Sequence, residues 1–265
     1  MANRFSLRRS EDEQMVKMWT PYHVTITADY PFIRRGRFFN LCSRGLCRFA
    51  LAVLSWYNRL LFGLRIEGRE NLKKAPGGAV TICNHVHMLD CSMVNIAYGK
   101  KMYFPTLKSN VEIPFVRFLV RLLGGIPIPE TPQAFAAFSK TIKQLLKDGG
   151  TVHLYPEGML YPYCGQIRPF HRGAFLYAYD CGVPVIPFAV TYRPAEGLRG
   201  RLKKRPFLTL TILEPIYPDP SASRRGEIER MREEAFRRMK EHCEASETKA
   251  LAASEEEKIP AGAAK

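Results

Sequence analysis

A chain of 265 residues, 46% hydrophobic and 25% charged, can bury a full core, which excludes the disordered and collagen-like classes. Its net charge of +15 points to an anionic partner: nucleic acid, a lipid headgroup surface or a phosphorylated small substrate. Seven cysteines, odd in number and scattered without metal-ligand spacing, suit reduced thiols in a cytosolic compartment and predict no disulfides.

In chain order, residues 1–29 form a charged extension that lacks the apolar core and cleavage site of a secretory signal, so the protein is expected on the cytoplasmic side. Residues 30–64 carry arginines without lysine or acid, interleaved with Phe32, Phe38, Phe39, Phe49, Trp56, Tyr57 and Phe62. The longest uncharged run, Phe49 to Asn58, is about half the ~20 apolar residues a membrane-spanning helix needs. Amphipathic helices lying in the interface, with arginine stems snorkelling toward phosphates, fit this composition; helices that cover the core or an oligomer contact are the alternative.

The globular part, residues 65–220, opens with Arg65-Ile66-Glu67-Gly68 and a buried strand over Gly78 to Cys83. Strands follow over Lys101 to Leu107 and Gly125 to Ile128, with a helix between them over Pro114 to Leu123. Gln133 to Leu146 has apolar residues at helical spacing and stops at Gly149-Gly150; Thr151 to Tyr155 is a strand and Phe170 to Cys181 a helix. Strands over Val185 to Tyr192 and Phe207 to Leu213 flank a basic, hairpin-like loop from Arg193 to Arg205. This interleaving predicts an α/β sheet covered by helices on its faces. Residues 221–245 contain an amphipathic charged helix, and 246–265 have the Ala/Glu/Lys composition of a disordered tail.

The strongest chemical signal is Asn84-His85-Val86-His87-Met88-Leu89-Asp90, where a buried strand meets a helix start. The crevice beyond the carboxyl ends of strands is the usual ligand site of open α/β sheets. A histidine with a nearby carboxylate can act as a general base, the carboxylate setting the imidazole tautomer and steadying the cation. His85-x-His87 with Asp90 also invites a metal reading, but no second His or Cys cluster completes a site, so no metal is expected.

Two further motifs extend the first: Tyr155-Pro156-Glu157-Gly158 and Val183-Pro184-Val185-Ile186-Pro187. With Gly125-Ile126-Pro127-Ile128 as the second block, after Asp90 and before Tyr155, the four blocks resemble the glycerophospholipid acyltransferase family in order and separation, over roughly Arg65 to Pro215. The resemblance implies a twisted, mostly parallel sheet flanked by helices, with an N-terminal membrane-docking helical segment. It further implies an acyl-CoA or acyl-carrier-protein donor, a lysolipid acceptor, and no metal or organic cofactor.

By the same resemblance, His85 deprotonates the acceptor hydroxyl, Asp90 orients His85, and Glu157 and Gly158 shape the acceptor site. Lys108, Arg168, His171 and Arg172 would clamp a phosphate, and Asn84, Gly125, Ile126 and Pro184 would complete the substrate-binding walls. The chain departs from members with phosphorylated acceptors, which commonly carry arginine where Pro129-Glu130 stands and Thr-Arg-Ser where Met159-Leu160-Tyr161 stands. 1-Acylglycerol-3-phosphate is the expected acceptor, at the cytoplasmic membrane face; another lysolipid or an amino-acid lipid is the alternative. A basic nucleic-acid-binding module is the rival from a different class, although no nucleic-acid signature is present and none is expected as a partner.

Overall fold

The computed structural model describes residues 23–33, 36–114, 116–195 and 205–256. The first 22 residues, most of the basic loop between Arg193 and Arg205, and the last nine residues lie outside these.

Helix α1 (Arg37–Phe62) leads into β1 (Arg65–Glu67), β2 (Ala79–Cys83) and α2 (Asp90–Tyr98). Then come β3 (Phe104–Thr106), α3 (Val116–Leu122), β4 (Gly125–Pro127), α4 (Pro132–Lys147), β5 (Thr151–Leu154), α5 (Gly173–Cys181), β6 (Val185–Arg193), β7 (Phe207–Ile212) and α6 (Arg224–Glu256). Five strands form one sheet in the order β1-β7-β6-β2-β5, parallel throughout except for the β6–β7 pair. Strands β3 and β4 form a separate parallel pair, which a parallel bridge between Tyr103 and Val152 joins to the free side of β5. Strands β2, β5, β3 and β4 therefore point the same way, and their carboxyl ends lie along one edge.

Strand β2 is buried on both faces, as a central parallel strand must be. Val80 and Ile82 pack with Phe138, Ile142, Phe175, Met231 and Met239 from α4, α5 and α6. Ala79 and Cys83 face Met93, Val94 and Ala97 of α2, together with Phe188 and Leu210. The two-residue alternation of the strand thus builds a core on each side of the sheet. Gly68 closes the turn after β1 with φ +74°; a Cβ there would sit 2.2 Å from the Ile212 carbonyl oxygen, so only glycine lets the chain pass.

Three expectations are corrected. The arginine- and aromatic-rich region is a single 26-residue helix, not several, ended by Gly63 in the left-handed conformation. Parts of both N-terminal segments are core: Ile26 of the segment assigned to an extension is buried, as is Phe32 of the segment assigned to docking, whose ring meets Phe138 edge-on at 5.7 Å. At the other end α6 continues past Ser246 to Glu256, because Ala, Glu and Lys are strong helix formers and propagate a helix already anchored by packing.

Candidate active site

Asp90 begins α2 and is completely buried. Its Oδ2 accepts the backbone N–H of Val86 at 2.7 Å and of His87 at 2.8 Å, and His85 Nδ1 lies 3.0 Å away. A carboxylate only accepts, so Nδ1 carries a proton and donates it, leaving Nε2 with its lone pair free to take another. The His85 side chain keeps 22% exposure, enough for that nitrogen to meet a substrate. Its ring is stacked on Tyr155, with centroids 3.8 Å apart and planes 13° apart, which fixes the plane of the imidazole.

The loop after β5 closes over this dyad. Tyr161 N–H bonds the His85 carbonyl and Tyr163 N–H the Val86 carbonyl, both at 2.9 Å. Glu157 is buried and faces the backbone N–H groups of His85 and Arg168. Burial outweighs these two contacts and lifts its carboxyl to about 7. Gly158 has φ +77°, and a Cβ there would press to 3.1 Å on the His171 ring. Arg168 sits over Tyr161, its guanidinium carbon 3.2 Å from the ring centroid.

The remaining expected substrate contacts do not share one setting. Lys108 follows β3 at the correct edge, but its ammonium is held by Glu130 at 3.0 Å and Glu112 at 3.7 Å. Arg172 instead lines a cavity against α6. The side chain of Asn84 is buried and used at both ends: it donates to the Val190 carbonyl at 2.9 Å and accepts the Val190 N–H at 2.8 Å, continuing the β2–β6 ladder. It is therefore a structural clasp behind His85. Ile126 is core, and Gly125 is pressed against Val120, where a Cβ would meet Cγ1 at 2.3 Å.

Pro184 is at the wrong edge. The β2–β6 register pairs Val80 with Val185 and Cys83 with Phe188, so Pro184 lies beside the start of β2, about 13 Å upstream of the level of Cys83.

Sequence reasoning missed Tyr155 as the His85 stacking partner and overlooked Tyr163, the only non-glycine with positive φ among the described residues. The strand-end position of Tyr155, two residues before Glu157, was an available signal. His153, left unassigned, is buried, with Nδ1 at 2.9 Å from Thr81 Oγ1; burial pushes its imidazole down to about 3, so it stays neutral. His87 is taken up by the Leu89 N–H on Nδ1 and by an edge contact with Phe62. Burial pushes the Cys83 thiol well above its usual range, which removes it as a nucleophile.

A mixed α/β sheet with a buried carboxylate orienting a histidine at the carboxyl ends of its strands defines the class. Residues 63–191, just under half of the chain, match the family model described as Acyltransferase. It is 30% identical over 130 residues to a chloroplastic 1-acyl-sn-glycerol-3-phosphate acyltransferase of Arabidopsis thaliana, covering 49% of this chain and 36% of the relative. It is 28% identical over 176 residues to the 1-acyl-sn-glycerol-3-phosphate acyltransferase of Pseudomonas aeruginosa, covering 65% and 64%. The alignments thus span about a third of the plant relative's length and just under two thirds of the bacterial one's. The fold is similar to the crystal structure of the 1-acyl-sn-glycerophosphate acyltransferase PlsC from Thermotoga maritima, with a TM-score of 0.56, 22% identity, and coverage of 81% of this chain and 89% of that one.

Proposed function

We propose that this chain transfers a fatty acyl group from an acyl-CoA or acyl-carrier-protein thioester to the hydroxyl of a lysophospholipid, with 1-acylglycerol-3-phosphate as acceptor and phosphatidic acid as product. The observation that carries this reading is the His85–Asp90 pair, 3.0 Å apart with the carboxylate locked by two backbone donors. His85 Nε2 takes the acceptor's hydroxyl proton as the oxygen attacks the thioester carbonyl. The tetrahedral intermediate collapses to the ester, and the departing thiolate recovers the proton from His85. Asp90 steadies the imidazolium between the two steps, and the sequence requires no covalent enzyme intermediate, metal or organic cofactor.

The setting proposed is the cytoplasmic face of a membrane, and helix α1 supports the membrane-surface part of that reading. Leu41, Phe49, Val53, Trp56 and Leu60 are exposed along one stripe, and Arg44, Arg48 and Arg59 are exposed on the same helix. Phe118 and Leu119 of α3, which packs on α1, extend the apolar surface. An exposed apolar stripe edged by arginine suits a lipid interface and not a polar nucleic-acid groove. No helix among the described residues is long and apolar enough to cross a membrane.

The contacts of Lys108 with Glu130 and Glu112 favour a second reading of the acceptor, a neutral or zwitterionic lysolipid, because the cation is already neutralised. An acyl-transfer assay in liposomes with a panel of lysolipids decides between them. His85→Ala should lower the rate by ~10²–10⁴-fold on whichever acceptor is used. A folded variant retaining substantial activity would remove His85 from the mechanism.

A further inference from the structure

A cavity of about 580 Å³ lies beside the start of α5, lined by Phe170, His171, Arg172, Arg225, Glu229 and Arg232. Its size falls within the range of small-molecule sites. Arg225, Glu229 and Arg232 recur at i, i+4 and i+7, so one stripe of α6 forms a wall. The arginines of α6 are mostly neutralised within the protein. Arg224 grips both oxygens of Asp180 at 2.9 and 3.0 Å, Arg230 pairs with Glu227, and Arg237 and Arg238 pair with Glu234.

The cavity differs. Arg172 and Arg225 are exposed and form no ion pair with any described residue. Arg232 is anchored by the Phe170 carbonyl at 3.1 Å and by Glu229, yet its Nε is buried without a partner. Glu229 is committed to Arg232, so two uncompensated guanidinium groups face the space.

The cavity also adjoins the dyad. His171 donates its backbone N–H to the Pro156 carbonyl at 2.8 Å, and its ring abuts Gly158. The same loop carries Tyr161, whose backbone N–H bonds the His85 carbonyl at 2.9 Å. One loop therefore separates the arginines from His85. A donor whose thioester lies at His85 and whose thiol carrier runs past Gly158 would bring a phosphorylated end into this space.

We propose that this cavity holds the phosphorylated nucleotide end of coenzyme A in the acyl-CoA donor, with Arg172, Arg225 and Arg232 as its phosphate contacts. The inference rests on the acyltransferase reading and deepens it by choosing the donor. Guanidinium groups match phosphate oxygens in a planar fork, and a nucleotide bearing both a pyrophosphate and a 3′-phosphate supplies enough negative charge for the unpaired arginines. Arg172 then serves the donor and not the acceptor phosphate for which its sequence position suggested it.

The test measures binding of coenzyme A, 3′-dephospho-coenzyme A and adenosine 3′,5′-bisphosphate to the full chain in detergent by calorimetry, without turnover. Wild type should bind coenzyme A more tightly than its dephospho form, and adenosine 3′,5′-bisphosphate should compete. Arg225→Ala should weaken coenzyme A about tenfold, the order of one charge-assisted contact, and reduce the preference for the 3′-phosphate. Arg225→Glu should weaken it further, and since Arg225 is exposed both variants should keep the wild-type circular dichroism spectrum. Unchanged coenzyme A affinity in both variants would overturn the inference, as would transfer only from acyl-carrier protein with no measurable coenzyme A binding. Absence of transfer from every donor in a parallel assay would instead overturn the acyltransferase reading itself.

Discussion

Asp90→Asn is the sharpest perturbation of the dyad because it changes one atom type in a buried, fully specified site. Oδ2 of Asp90 serves three donors: the N–H groups of Val86 and His87 and the Nδ1–H of His85. In the variant, the amide oxygen at the Oδ2 position keeps all three donors but carries no full negative charge, and the NH₂ group takes the place of Oδ1, which is buried without a hydrogen-bond partner among the described residues. Nδ1–H then still donates, but the imidazolium formed when Nε2 takes a proton loses the charge that steadies it. The loss should be about 10³-fold in kcat/KM, equal to about 4 kcal/mol in the barrier and within the range of general-base catalysis. Replacing a charged acceptor by a neutral one should also cost about 1.5–3 kcal/mol of stability, because the bonds it accepts are charge-assisted and buried. Initial rates on acyl-CoA and lysolipid, measured beside chemical denaturation of the same preparation, separate the two effects. A folded Asp90→Asn protein with more than a tenth of wild-type activity would refute the role given to the Asp90 charge.

Glu157 predicts a pH-dependent stability. Its carboxyl holds a proton up to about 7 when folded but only to the usual value of 4.5 when unfolded. Between these values the folded state binds more protons, so stability is lost as pH rises through the window, by about 3 kcal/mol in full. Glu157→Gln should flatten that slope in denaturant titrations at pH 5 and 8; an identical slope would exclude Glu157 as its source. The exposed stripe of α1 predicts that Phe49→Glu with Trp56→Glu lowers binding to anionic liposomes by more than tenfold, about 1.5 kcal/mol or more, since two large rings lose their apolar contact. Co-sedimentation reads this, and the melting temperature should hold because both side chains face outward.

Local chemistry was legible in the residues themselves. The apolar run ending at Cys83 and the His85 to Asp90 spacing located the strand end and the dyad, because a short loop between a buried strand and a helix leaves few geometries for a histidine and a carboxylate five residues apart. Helical spacing in α4 and the two-residue period of β2 were equally readable, since each is set by neighbours in the chain.

What depended on long-range register was not. Only the pairing of Val80 with Val185 shows that Pro184 lies at the far edge, and only the Val190 backbone shows that Asn84 is a clasp. The stacking of Tyr155 on His85 joins residues 70 positions apart, and the gathering of Arg172 with Arg225 and Arg232 joins two helices separated by the last two strands of the sheet. A sequence motif specifies which groups are available, because residue type and spacing are local. Which groups face a shared space is decided by strand order and helix packing, which the hydrophobic core sets across the whole chain.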